Sequence, residues 1–137
     1  MSFPINGLVS LIEIYDMPRS IAFYRDVLGF KVVSTSNPDN SSDACDWCLL
    51  RHGDAMLMLN TRYESDKRPP EPKHIPRHED MTLFMGCPNV DEAYAYLQSK
   101  GCRVEAPVNT HYGMRQLNVR DPDGVKLCFQ HPVNRAV

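Results

Sequence analysis

The chain has 137 residues, 42% of them hydrophobic and 23% charged, with a net charge of −2. That length suits one domain able to bury its own core, and the mixed signs leave neither a basic stripe for nucleic acid nor a single-sign run for a membrane surface. No apolar run approaches the roughly 18 residues of a membrane span, "MSFPINGLVS" has no signal-peptide pattern, and the five cysteines are scattered, so a cytoplasmic protein with reduced thiols is expected.

In chain order, "LVSLIEIY" (Leu8 to Tyr15) reads as a strand buried on both faces, with Glu13 its only charge. "DMPRSIAFYRDVLGF" reads as a helix: Asp16 caps it, Pro18 sits in the first turn, and Gly29 closes it. Ile21, Tyr24, Val27 and Leu28 share one face of that helix. "FKVVSTS" is a strand, "NPDNSSDA" a loop, and "CDWCLLRHGDAMLMLN" a hairpin turning at His52-Gly53-Asp54. The polar, proline-rich stretch from Thr61 to Asp80 has no period and reads as a linker or flap.

The same grammar then starts again. "MTLFMGCP" is a strand, and "NVDEAYAYLQSKG" a helix capped by Asn89, with Glu92 in capping-box position and Gly101 at its end. "CRVEAPVNT", "GMRQLNVR" and "GVKLCFQ" are three further strands, the last two joined by a turn at Asp121–Gly124. The order is βαβββ over 5–61, a linker or flap over 62–79, and βαβββ over 80–132. The halves share element order and punctuation rather than identity. Each half covers one sheet face with its helix, and the other faces are free to enclose a cavity.

"DMPRSIAFYRDVLGFKVV" and "YGMRQLNVRDPDGVKLCFQ" strongly resemble the vicinal oxygen chelate superfamily, which includes glyoxalase I, bleomycin-resistance proteins, fosfomycin-resistance proteins and extradiol dioxygenases. The resemblance spans nearly the whole chain. It implies an α+β fold in which two βαβββ modules form half-barrel sheets around a cavity, often within a homodimer. Its residues mostly cap and pack the helix, so it speaks for a fold rather than an activity.

In the enzymes of that superfamily four cavity-facing positions hold a divalent metal: His or Gln, Glu, His or Gln, and Glu. Counted from the helix caps and turns, these fall on Val9, Met58 (Met56 as the fallback), Thr82 and Cys128. Val9 has no donor atom, Met58 is a soft thioether and Thr82 is neutral. Cys128 alone would not hold zinc, so it is expected to pack as a small buried hydrophobe. No metal and no other cofactor is therefore expected.

Glu13 shares a strand face with Val9, and the resemblance turns that face to the cavity. Lys126 lies on the face of Cys128 as a partner for Glu13, and Gln116 and Asn118 are expected to point the same way. The resemblance makes the positions of Glu13 and Asn118 frequent substrate contacts; the alternative is that Glu13 and Lys126 only pair or reach solvent. Met58 and Phe84, with Met56, Met114 and Trp47, either line an adaptable apolar pocket or form ordinary core. Cys45-Asp46-Trp47-Cys48 has neither a helix start for redox work nor a second pair for zinc. Across His74 and His78, Pro76 rules out a shared helix face. Arg115 and Tyr112 either clamp an anionic ligand or, as the favoured reading, bond the Asp121–Asp123 turn. There is no G-x-S-x-G and no glycine-rich phosphate loop.

The expected function is metal-independent binding of a small aromatic or amphipathic molecule, as in bleomycin-resistance proteins, with Glu13, Met58, Phe84, Gln116, Asn118, Lys126 and Cys128 as the ligand-binding residues. The alternative is a divergent glyoxalase-like lyase, isomerase or dioxygenase with an atypical divalent-metal site and Glu13 as general base. A third reading is a ligand-sensing module without chemistry. Neither nucleic acid nor membrane is an expected partner; a second copy of the chain is.

Overall fold

Where the chain starts and stops its helices is set by a few side chains. The computed structural model describes residues 2–37, 43–61 and 78–133. After β1 (Ser10–Ile14), the Asp16 carboxylate accepts from the Arg19 amide at 3.3 Å, and α1 (Met17–Ile21) begins with proline in its first turn. The helix does not stay regular. Over Ala22–Val27 it widens into π-helical turns, with the Leu28 amide reaching back to the Phe23 carbonyl at 3.0 Å. That widening leaves Val27 half-buried while Ile21, Tyr24 and Leu28 stay in the core. Gly29, at φ +86°, ends the helix in a conformation that favours glycine.

The remaining strands of the first module are β2 (Lys31–Thr35), β3 (Trp47–His52) and β4 (Ala55–Thr61). Their sheet runs β1-β4-β3-β2, with β1 parallel to β4 and a tight turn at Gly53-Asp54 between β3 and β4. One face packs on the helix: Ile12, Ile14, Cys48, Leu50, Leu57 and Leu59 are buried together with Met17, Ile21, Tyr24 and Phe30. Tyr24 and Phe30 meet edge to face, centroids 5.8 Å apart.

The second module repeats the plan: β5 (Thr82–Gly86), α2 (Val90–Ser99), β6 (Val108–Asn109), β7 (Met114–Arg120) and β8 (Lys126–Pro132). The Asn89 side chain accepts from the Asp91 and Glu92 amides at the start of α2, each at 3.1 Å. The sheet order β5-β8-β7-β6 matches the first module strand for strand, again with a parallel outer pair. Val90 and Leu97 of α2 are buried, as are Leu117, Val119, Val125 and Leu127. The chain divides into two compact units, Met1–Ile75 and Pro76–Val137, each holding one βαβββ module, so the two-module plan and the α+β class stand. Most of the 62–79 segment, including His74, lies outside the described residues. Among the described residues no helix is long and apolar enough to cross a membrane.

Two strands are shorter than expected. Leu8 is 93% exposed and pairing starts only at Ser10. β1 alternates, with Ile12 and Ile14 fully buried and Leu11 half-exposed, because one helix covers one face only. Between Cys102 and Thr110 only Val108–Asn109 pairs with β7. The Cys102 amide is committed to the Leu97 carbonyl at the helix end, and Pro107 has no N–H to offer a neighbour.

In the C-x-x-C pair, Cys45 precedes β3 and Cys48 lies on it. Both thiols are buried, and the Cys48 sulfur lies 3.9 Å from that of Met17. Burial, then the neighbouring Cys45, pushes the Cys48 thiol up to about 12, the value of an inert core thiol.

Two consequences for stability follow. An unfolded thiol ionises near ~8.5, whereas folded Cys48 holds its proton to about 12. Across that window the unfolded state binds fewer protons, so the unfolding free energy falls as pH rises, by at most ~1.4 kcal/mol per pH unit. Urea titrations from pH 8 to 11 should show that decline, and Cys48→Ala should flatten it. Separately, buried Asp121 accepts from the Asp123 and Val125 amides at 2.9 and 2.8 Å in the turn before β8. Asp121→Ala strips both amides of that acceptor and should cost about 1–3 kcal/mol in the same assay.

A candidate ligand-binding face on the second sheet

The pleat of β7 divides its side chains cleanly. Arg115 reaches α2, donating to both Asp91 carboxylate oxygens at 2.9 and 2.7 Å, and Leu117 and Val119 are buried in step with it. Odd-numbered residues of β7 therefore face the helix, and Met114, Gln116, Asn118 and Arg120 face the other way. The Arg115 guanidinium holds the Asp91 carboxyl below its usual range and also donates to Asn109 Oδ1 at 2.8 Å. Arg115 is thus a structural clasp, as expected, but its partners are Asp91 and Asn109 rather than the Asp121–Asp123 turn.

The strand register extends that far face into three rows across β5, β8 and β7. They are Thr82–Lys126–Arg120, Phe84–Cys128–Asn118 and Gly86–Gln130–Gln116. The expected co-facing of Lys126, Cys128, Gln116 and Asn118 holds, and Phe84 joins them. The rows differ in chemistry. The first is cationic. The second sets the ring of Phe84, 57% exposed, beside a small buried thiol and an exposed amide. The third is an amide row: Gln116 Nε2 donates to Gln130 Oε1 and to the Tyr112 hydroxyl, each at 3.0 Å. At Gly86 a Cβ would meet nothing within 4 Å. At the cationic row a cleft of about 660 Å³ takes in Thr82, Asn118, Arg120 and Lys126 of the far face, Val119 and Leu127 of the helix-facing side, and Arg103, Val104 and Glu105 of the coil after α2.

In the first module the face turned from α1 carries Leu11–Met58–Leu49 and Glu13–Asn60–Trp47 as rows. Met58 and Glu13 lie in adjacent rows of that face, both half-buried, and the Glu13 Oε2 atom is itself buried. Lys126 bonds within its own module, its ammonium donating to the Glu79 carbonyl. Met56 is 39% exposed at the far end of β4.

The residues that the resemblance assigns to the superfamily's metal positions fit a hard or borderline divalent ion poorly. Val9 precedes β1 and is 38% exposed; it offers no donor. Met58 offers a thioether and Thr82 a neutral hydroxyl. Cys128 is 1% exposed, and burial pushes its thiol up, away from the thiolate a metal needs. Among the described residues no three His, Cys, Asp or Glu side chains gather as a metal site.

Sequence reading missed Arg120 and Asn60 as members of these faces, whereas Gln130 stands with Lys126 and Cys128 as the strand alternation places it. Two-residue spacing from Asn118 and Met58 carries the signal for the two that were missed.

Solved structures share this architecture. A bleomycin resistance determinant encoded on transposon Tn5 matches with a TM-score of 0.70 at 21% identity, over 93% of this chain and 98% of that one. A bleomycin-binding protein complexed with bleomycin matches with a TM-score of 0.69 at 22% identity, over 96% and 100%. A lactoylglutathione lyase from Agrobacterium tumefaciens matches with a TM-score of 0.66 at 21% identity, over 93% and 95%. No curated protein matches the sequence. The family model of the Glyoxalase/Bleomycin resistance protein/Dioxygenase superfamily matches residues 11–129, nearly the whole of both modules, and the chain belongs to that superfamily.

Proposed function

We propose that this protein binds a small, partly aromatic molecule against the far face of its second sheet, without a metal and without turning it over. The observation that carries the reading is the central row. Where the superfamily's enzymes place a carboxylate, this chain has the buried, neutral thiol of Cys128, flanked by an exposed ring and an exposed amide. Such a row suits a flat apolar body, with the neighbouring amides fixing its orientation. The solved relative complexed with bleomycin supports binding as a use of this fold, and fold alone does not carry chemistry across. Phe84, Asn118, Gln116, Lys126 and Cys128 make the contacts in this reading. Glu13 and Met58 offer a separate polar and apolar pair on the first module's own far face. The working form is a cytoplasmic homodimer.

The test uses naphthalene-2-carboxylate as a fluorescent probe. It should bind with the same affinity in EDTA as in manganese or nickel, and the purified protein should carry no stoichiometric divalent ion. Phe84→Ala removes an exposed ring at little cost to folding and should weaken probe binding about five- to tenfold. A stoichiometric ion required for binding, or an affinity unchanged by Phe84→Ala, would overturn the proposal.

A further inference from the structure

Arg120 and Lys126 stand directly opposite each other on neighbouring strands, an arrangement that costs stability when both side chains carry the same charge. Their immediate partners do little to cancel that charge. The Lys126 ammonium donates to the backbone carbonyl of Glu79, and Arg120 Nη1 donates to the backbone carbonyl of Gly124 at 2.9 Å. Both heads are thus held by neutral acceptors. The carboxylate that approaches is that of Glu79, 3.5 Å from Arg120 Nη1, in a pair more than half exposed on both sides and therefore weak. Around the cleft of about 660 Å³, Arg103 adds a third cation and Glu105 a second acid, leaving a local excess of one positive charge on a chain whose total is −2. Thr82 shares the row with the two cations, and Asn118 stands beside Arg120 at the start of the next. Both are uncharged hydrogen-bonding groups suited to an anion's remaining oxygens.

We infer that the cationic row is a docking point for a carboxylate, and that the molecule this protein binds is an aromatic carboxylate. Its charged group lies between Arg120 and Lys126, and its ring lies over Cys128 beside Phe84. The inference rests on the binding reading above and adds the ligand's charge and direction to it. An anion seated there relieves the repulsion between the facing cations, and the fixed side chains lose little freedom on binding it. Glu79 is then a competitor for the same row.

The experiment compares naphthalene-2-carboxylate with its neutral isostere naphthalene-2-carboxamide in fluorescence titrations on the full chain. At low salt the carboxylate should bind at least tenfold more tightly, and the gap should shrink as salt rises. The double variant Arg120→Gln, Lys126→Met should bring carboxylate affinity down to the amide affinity measured on the same variant, erasing the gap between the two probes. Glu79→Gln should tighten carboxylate binding severalfold without moving the amide, a gain that damaged folding cannot produce. Equal affinities for the two probes in the unsubstituted protein would overturn the inference and leave the binding reading standing. A preference that survives the double variant would also overturn it. Failure of both probes to bind would remove the binding reading and the inference together.

Discussion

Each sheet of this protein has two faces and one helix. α1 with its π-helical continuation buries the even-numbered side of β1, and α2 buries the odd-numbered side of β7. Once the helix has claimed its face, the alternation of the strands assigns every other side chain to the opposite one. There buried Cys128 and Gln116 stand among exposed Asn118, Arg120 and Phe84 and half-buried Lys126. Fold and binding surface are two sides of one pleat.

The helices and turns of the fold are held by local bonds. Asp16, Asn89 and Asp121 accept from backbone amides at the helix starts and in the last turn. Tyr24 and Phe30 are buried in the first module, and Leu117 and Leu127 in the second.

The punctuation of the fold was legible in the sequence because it rests on local chemistry. Asp16, Asn89, Gly29, Gly101 and the Asp121–Gly124 turn each act within a few residues of themselves, and each stands where the sequence placed it. The shared face of Lys126, Cys128, Gln116 and Asn118 was legible for a similar reason: alternation along a strand needs no knowledge of its neighbours. What escaped was non-local. The partner of Arg115 lies 24 residues away on α2, and that Arg120 faces Lys126 depends on the register between strands. The residues from Cys102 to Pro107 have strand composition, yet the Cys102 amide is spent on the helix end and Pro107 has none to offer. The widening of α1 depends on how Phe23 and Leu28 bond across five positions, which an amphipathic pattern does not record.

The parallel outer pair in each sheet has a consequence for biosynthesis. Among the described residues β1 hydrogen-bonds to no strand but β4, so β1 lacks that mate until translation has passed Thr61. Throughout that interval Ile12 and Ile14 are bare on the nascent chain, and the helix after them has no sheet to lie on. The delay recurs for β5, which waits for β8 at the end of the protein. Such late closure of distant ends slows folding and lengthens exposure to aggregation, and it makes each hairpin, β3-β4 and β7-β8, the platform onto which an earlier, waiting strand is recruited.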